Sequence, residues 1–280
     1  MPPRWLTWAI IAFWVGMTGW LTFQQYSLRQ RAGEPPPFTI DLTDEVGANQ
    51  ISWTVLIDSA KKGQAYSSVR FRRRDRTFAF QSMFRVNDVE LAKLLAKVES
   101  LYRVNQDGEL LEFELNIVKE LDPSQQIYHG VVAKGKVENG SIQPKTWVIF
   151  WGIKKEIDLA FFGLPSEIKV SGNILNPMHM LNKVSGLHNG QEWVIQLMEI
   201  KSFNSMDLPI LNAKVSAETL SWNGTNVPCY LIEYREPRKQ KVHARTWARQ
   251  RDGLVLQQQA EYMGFEVLFR RDIERKHDRA

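Results

Sequence analysis

The chain has 280 residues, a modest net charge of +5 and one cysteine. A lone thiol, Cys229, excludes an internal disulfide and with it a disulfide-stapled ectodomain; a bacterial envelope protein fits better. Setting aside the apolar N-terminus leaves about 250 residues, enough for one large β domain or two smaller ones.

That N-terminus, Trp5 to Phe23, reads WLTWAIIAFWVGMTGWLTF and holds no charged side chain. At about 1.5 Å per residue it spans roughly 28 Å, close to the ~30 Å hydrocarbon core of a bilayer. A cleaved signal has a shorter apolar run and small residues at its cleavage site. Here Gln24-Gln25-Tyr26-Ser27-Leu28-Arg29 follows directly, so residues 1–23 are expected to be an uncleaved, single-pass transmembrane anchor. Tryptophans at its ends suit the interfacial belt. Ala9, Ala12, Gly16 and Gly19 fall on one helix face, where a second helix can approach closely, although small residues are common in membrane helices generally. Arg4 precedes the run and Arg29 and Arg31 follow it, so charge does not set the orientation. The short leader makes N-inside the default. The expectation is a bacterial inner-membrane protein whose bulk is periplasmic.

Residues 24–49 read as a tether stiffened by Pro35-Pro36-Pro37. From 50 to 273 the dominant period is two, and 274–280 is a charged tail. The expected fold is mainly β: a curved antiparallel sheet or open half-barrel with a few short helices. The first strand is 51–57, with a turn at Lys61-Lys62-Gly63-Gln64. A hairpin of 65–74 and 77–86 follows, aromatic residues inward and arginines outward. Leu91, Leu94, Leu95 and Val98, with a capping box of Asn87 and Glu90, predict a helix over 87–100. Strands then cover 101–104, 110–118, 127–137, 141–151 and 156–162. Asn139-Gly140 is the clearest hairpin turn among them, and it and Asn223-Gly224 read as turns although both begin glycosylation sequons. Asn176-Pro177 predicts a second short helix to about Ser185, carrying Met178, Met180 and Leu181 as a lid and candidate ligand-binding residues. A second run of strands covers 193–200, 210–218, 229–235, 242–250, 254–262 and 265–271.

One ordered set of residues carries a family resemblance. It comprises Trp53, Gly63-Gln64-Ala65-Tyr66, Leu110-x-x-Phe113-x-Leu115 and Tyr128-His129-Gly130. It continues with Gly135-x-Val137-x-x-Gly140-x-Ile142, Gly190-Gln191-Glu192-Trp193, and Trp247 ahead of Asp252-Gly253-x-Val255-Leu256. Over residues 50–273 the chain resembles the β-rich domain that precedes transglutaminase-like domains in bacterial membrane proteins. That domain in turn is similar to the lipoprotein-carrier fold, an open half-barrel with helices over an apolar hollow. The chain departs from the pattern at Ala65, where a glycine is expected, and no transglutaminase-like domain follows within these residues. The resemblance implies a fold and an envelope location, and it brings no catalytic residue.

The side chains that carry chemistry point the same way. Cys229 lies in the apolar run Val227-Pro228-Cys229-Tyr230-Leu231-Ile232, where free cysteine behaves as a small hydrophobe. His243 on the following strand is its one candidate partner for nucleophilic chemistry. The five histidines show no metal-ligand spacing, and no phosphate loop, dinucleotide fingerprint or nucleophile elbow occurs. A non-enzymatic domain without cofactor or metal is expected. Basic residues form clusters, among them Arg70, Arg72, Arg73, Arg74 and Arg76, and a second that includes Arg245 and Arg249. An extracytoplasmic domain rarely meets nucleic acid, which leaves two readings: contact with anionic lipid headgroups, and a solvated strand face that blunts edge pairing. Two functions follow. One is a half-barrel that takes a lipid or other apolar ligand. The other is a structural subunit of a membrane complex that packs through the Ala9, Ala12, Gly16, Gly19 face.

Overall fold

Alternating apolar and polar residues produce a chain of strands. The computed structural model describes Met17 and residues 50–86, 97–106, 109–122, 127–158, 167–170, 174–175, 180–197, 209–237, 241–262 and 265–272. Apart from Met17, the expected anchor with Ala9, Ala12, Gly16 and Gly19 lies outside the described residues, as do the tether 24–49 and the tail 274–280. No helix among the described residues is long and apolar enough to cross a membrane.

The first meander comprises β1 (Ile51–Ile57), β2 (Ala60–Arg72), β3 (Thr77–Val86), β4 (Lys97–Val104), β5 (Leu110–Asp122) and β6 (Ile127–Glu138). The short β7 (Ser141–Ile142), β8 (Lys145–Phe150) and β9 (Ile153–Ile157) complete it. After β10 (Ile168–Lys169) and β11 (Ile174–Leu175) comes the second meander. It comprises β12 (Glu192–Leu197), β13 (Ile210–Trp222), β14 (Thr225–Arg235), β15 (Val242–Arg249), β16 (Val255–Tyr262) and β17 (Phe265–Arg271). Sequential antiparallel pairing links β12 through β17 and β1 through β6, then β8 and β9. The two meanders join where β1 pairs with β17. β11 adds a parallel edge to β12, and β7 and β10 form a side ladder on β6.

Directly paired residues share a face, so the register sorts the side chains. The inner face carries Trp53 and Val55 of β1, Ala65 of β2, Phe84 of β3, Val98 of β4 and Phe269 of β17. On the other arm it carries Trp193, Leu211, Ala213, Ile232 and Tyr234. These residues form one buried cluster. Phe84 meets Phe269 edge-to-face at 5.8 Å between ring centroids. In a flat sheet β3 and β17 would lie about 14 Å apart, so the sheet is strongly curled. Tyr102, Phe113, Ile142, Ile168 and Val170 form a second cluster, where β7 and β10 fold over β4 to β6.

Several sequence expectations need correction, the strands over 141–151 and 156–162 among them: a turn at Trp151-Gly152 makes a hairpin of β8 and β9 instead. The first turn is at Asp58 and Ser59, both with positive φ, and Lys61 to Gln64 already belong to β2. Gly63 is a glycine for another reason: a Cβ there would collide with the Arg85 carbonyl on β3. In the helix expected over 87–100, residues 97–100 are strand, because Val98 pairs with Phe84 on one side and Ile117 on the other; residues 87–96 lie outside the described residues. The second helix is absent over 180–185, where Lys183 bridges Leu254 instead.

The hairpin turns are as the sequence implies. Asn139-Gly140 and Asn223-Gly224 have positive φ at both positions, the geometry whose twist matches the flanking strands. The aromatic faces also hold: Val69 sits opposite Phe80, and Phe71 opposite Phe78.

Candidate functional site

The inner face differs between its two arms. On the β12–β17 and β1–β3 side a strap, residues 180–184, runs across it. Val184 N donates to Gly253 O at 2.9 Å and Val255 N to Asn182 O at 3.0 Å. Leu181 N donates to Gln258 Oε1 at 2.6 Å. Arg271 Nη1 donates to Asn182 Oδ1 at 2.7 Å and to its backbone oxygen at 3.3 Å, with the guanidinium 5.8 Å from the Trp53 ring centroid. Gly253 has φ 71 and passes so close to Val184 O that no Cβ fits. Met180 is 1% exposed and Val184 is buried with it; Leu181 packs partly buried against the same cluster. Met180 and Leu181 therefore sit inside a packed interior, and Met178 lies outside the described residues.

The β5–β9 arm is different. Its inner face continues from Ile117 through Val131 and Val148 to Phe150 and Ile153. Val131 is 40% exposed, Phe150 61% and Ile153 73%, and Trp151 at the tip is 70% exposed. Trp151 and Gly152 both have positive φ, which makes a two-residue turn and presents the indole at the end of the hairpin. The His129 ring stacks on Phe150 with centroids 4.2 Å apart, and its Nε2 is buried without a protein hydrogen-bond partner. Lys119 lies opposite His129, and Lys155 opposite Val148. An apolar strip thus has cationic and imidazole groups along its margin.

The outer face of the same arm is mixed: Val132 and Ile149 are buried on it towards the Phe150 end, and charged residues crowd the other end. A groove of about 890 Å³ there is lined by Glu112, Glu114, Lys134, Lys136, Lys145 and Trp147, among others. Some of its charges are matched, Lys134 by Glu114 at 2.8 Å and Glu112 by the neighbouring Arg103 at 3.0 Å.

The basic clusters separate by pairing. Arg245 is held by Glu233 at 3.1 Å and by Gln259 at 3.3 Å. Arg249 grips Asp252 through two bonds of 2.9 and 2.6 Å. Burial works to raise the Glu233 pKa, but the hydrogen bonds from Arg235 and Arg245 overcome it and hold the carboxyl below its usual range. Arg70, Arg72 and Arg74 are exposed on the β2–β3 hairpin, with Arg73 and Arg76 beside them.

The structure does not bring Cys229 and His243 together. Cys229 pairs with Arg249, whereas His243 lies near the other end of β15 and faces Glu236 Oε2 at 3.6 Å. Six residues separate His243 from Arg249, roughly 20 Å of strand. Burial raises the Cys229 thiol above its usual pKa, the direction that disfavours the nucleophilic thiolate. Among the described residues no group of three histidine, cysteine or acidic side chains is placed to hold a metal.

Sequence reasoning missed Phe150, Trp151 and Ile153. A signal was present: Trp151-Gly152 is a turn pair between an apolar strand and Lys154-Lys155, which marks a hairpin tip rather than one long strand.

No protein-family model matches the chain, and no curated protein matches it. Among solved structures, the hypothetical lipoprotein YmcC from Escherichia coli (K12) matches at 14% identity over 84% of this chain and 89% of that chain, with a TM-score of 0.30.

Proposed function

We propose that the protein is a membrane-anchored, extracytoplasmic half-barrel without enzymatic activity. In this reading it binds an acyl chain or similar apolar ligand on the inner face of its β5–β9 arm. The observation that supports this is the strip of exposed Val131, Phe150 and Ile153, with half-buried Val148 between them, that the described residues leave open. An apolar ligand laid along these side chains removes their surface from water, at about 25 cal/mol per Å² buried. Lys119, His129 and Lys155 along the margin suit the anionic headgroup of an amphiphile. The ligand would thus lie away from Met180 and Leu181, whose space the core already fills. The anchor reading rests on Trp5 to Phe23, and the lipoprotein-carrier likeness on the glycine and aromatic positions of the sequence.

The test is extraction and native mass spectrometry of full-length protein purified from bacterial membranes. A bound lipid or fatty acid is expected, and its recovery should collapse in a Phe150→Ser, Ile153→Ser double variant that retains the wild-type melting temperature. Ligand-free wild-type protein that also fails to take up a fluorescent fatty acid would refute the reading.

A second reading, a subunit of a larger complex, draws on β9. Among the described residues this strand pairs only with β8, so its other edge offers backbone groups to a partner strand. Crosslinking in native membranes separates the two, since a partner trapped at Lys154 or Lys155 favours the subunit reading.

A further inference from the structure

Strand direction fixes which end of the sheet receives the tether. β1 starts at Ile51, opposite Ser67, and runs antiparallel to β2. β2 continues from Ser67 to Arg72 before the chain turns at 73–76. At about 3.3 Å per residue, the β2–β3 tip stands roughly 17 Å beyond Ile51, on the side from which the chain arrives. Residues 1–49, which include the expected anchor, join at this end. The last strand finishes here too, with Asp272 N donating to Ser52 O at 3.0 Å.

The same tip concentrates positive charge. Arg70, Arg72, Arg73, Arg74 and Arg76 are all exposed, and no ion pair among the described residues involves them. The lone acid, Asp75, accepts from Thr77 Oγ1 at 2.8 Å and faces Arg103 at 3.5 Å, and of the tip arginines Arg72 acts on it at longer range. Phe71 and Phe78 pack beneath with ring centroids 4.9 Å apart, bracing the hairpin. Guanidinium groups match phosphate oxygens in a two-pronged geometry that lysine cannot reproduce. The pairing of Arg245 with Glu233 of β14, and of Arg249 with Asp252 in the turn after β15, leaves this tip as the cluster suited to an external anion.

We propose that the β2–β3 arginine tip docks on the anionic headgroups of the bilayer that holds the anchor. This rests on the anchored reading and extends it to an orientation. Strands alternate in direction from β2 through β6 to β8, so the Phe150–Ile153 tip lies at the opposite end of the sheet. Docking therefore turns the apolar arm away from the membrane surface, with its tip toward the periplasmic space.

The experiment places full-length protein in nanodiscs and reads quenching of a fluorophore by headgroup-attached quenchers. One label is carried at Arg73→Cys and another at Ile153→Cys; buried Cys229 stays unlabelled. In discs containing phosphatidylglycerol, position 73 should be strongly quenched and position 153 weakly. The contrast should fade in phosphatidylcholine discs and at high salt. Removing Arg70, Arg72 and Arg74 together, as glutamines, should lower the docked-to-undocked ratio about a hundredfold, from ~1 kcal/mol per basic residue near an anionic surface. Equal quenching at 73 in both lipids, unmoved by the triple variant, would overturn the proposal, as would stronger quenching at 153. A chain that the discs do not retain overturns the anchored reading itself. Flotation with phosphatidylglycerol vesicles then decides whether the tip binds headgroups alone. None of these outcomes depends on whether a ligand is extracted.

Discussion

One sheet presents two different inner surfaces. On the β12–β17 and β1–β3 side, two walls of large side chains meet each other, and the 180–184 strap closes the remaining space. On the β5–β9 side the same period-two alternation continues, yet Val131, Phe150 and Ile153 face solvent. The residue types are alike; what differs is whether a distant segment covers them. Burial is thus a property of the curl and the covering segments rather than of the strand: β7 and β10 bury Phe113 and Ala133 at one end of the β5–β9 arm, and among the described residues the run of exposed apolar side chains lies at its other end.

Substitutions can break this contrast. The largest effect is expected from Trp53→Ala. The indole is wholly buried and donates to Ser67 Oγ at 2.9 Å, so its loss should cost about 3–5 kcal/mol in chemical denaturation. Met180→Ala should cost about 2–5 kcal/mol, whereas Phe150→Ala should stay within about 0.5 kcal/mol despite the larger side chain removed. Equal costs at the two positions would mean that the arms are packed alike. Gly253→Ala should cost about 1–3 kcal/mol, since alanine is strained at φ 71 and its methyl strikes Val184 O. Hydrogen exchange at the Val184 and Val255 amides should speed up in that variant, while β5 and β6 amides keep their rates.

Acid provides the smallest and most local probe. The hydrogen bond from Arg249 holds the Asp252 carboxyl below its usual range, assisted by the Leu254 backbone bond and the Arg249 and Arg251 charges, against a lesser burial effect. The folded state therefore binds this proton less readily than the unfolded chain. The contribution is fully present above the unfolded pKa of about 4 and is lost as pH falls through the lower folded value. Strap exchange should accelerate over that window in the wild type and be flatter in Asp252→Asn.

Much of the sheet was legible because its signals are local. Asn139-Gly140 and Asn223-Gly224 impose their turns, and Val69, Phe71, Phe78 and Phe80 declare their face by alternation. The strap was not legible, because Asn176-Pro177 speaks for a helix start while residues 180–184 take their partners from Gly253, Gln258 and Arg271. Gly63 misled for the same reason: its constraint is the Arg85 carbonyl on another strand, not a turn. Val98 fitted a helical spacing by coincidence, since its neighbours Phe84 and Ile117 are strand partners. The candidate site shifted from Met180 to Phe150 and Ile153 because coverage depends on elements far away in sequence.

The seam between β1 and β17 also bears on how the chain is made. The sheet's middle is assembled from the first and last strands, while its β9 and β11 edges come from the middle of the chain. During synthesis β1 can pair with β2 at once, but its second neighbour, β17, emerges only after the whole of β2 to β16. Until then Trp53 and Val55 lack the Phe269 side of their packing. The first meander must wait with its inner face open, a long-range closure of the kind that makes folding slow and exposes apolar surface to wrong partners.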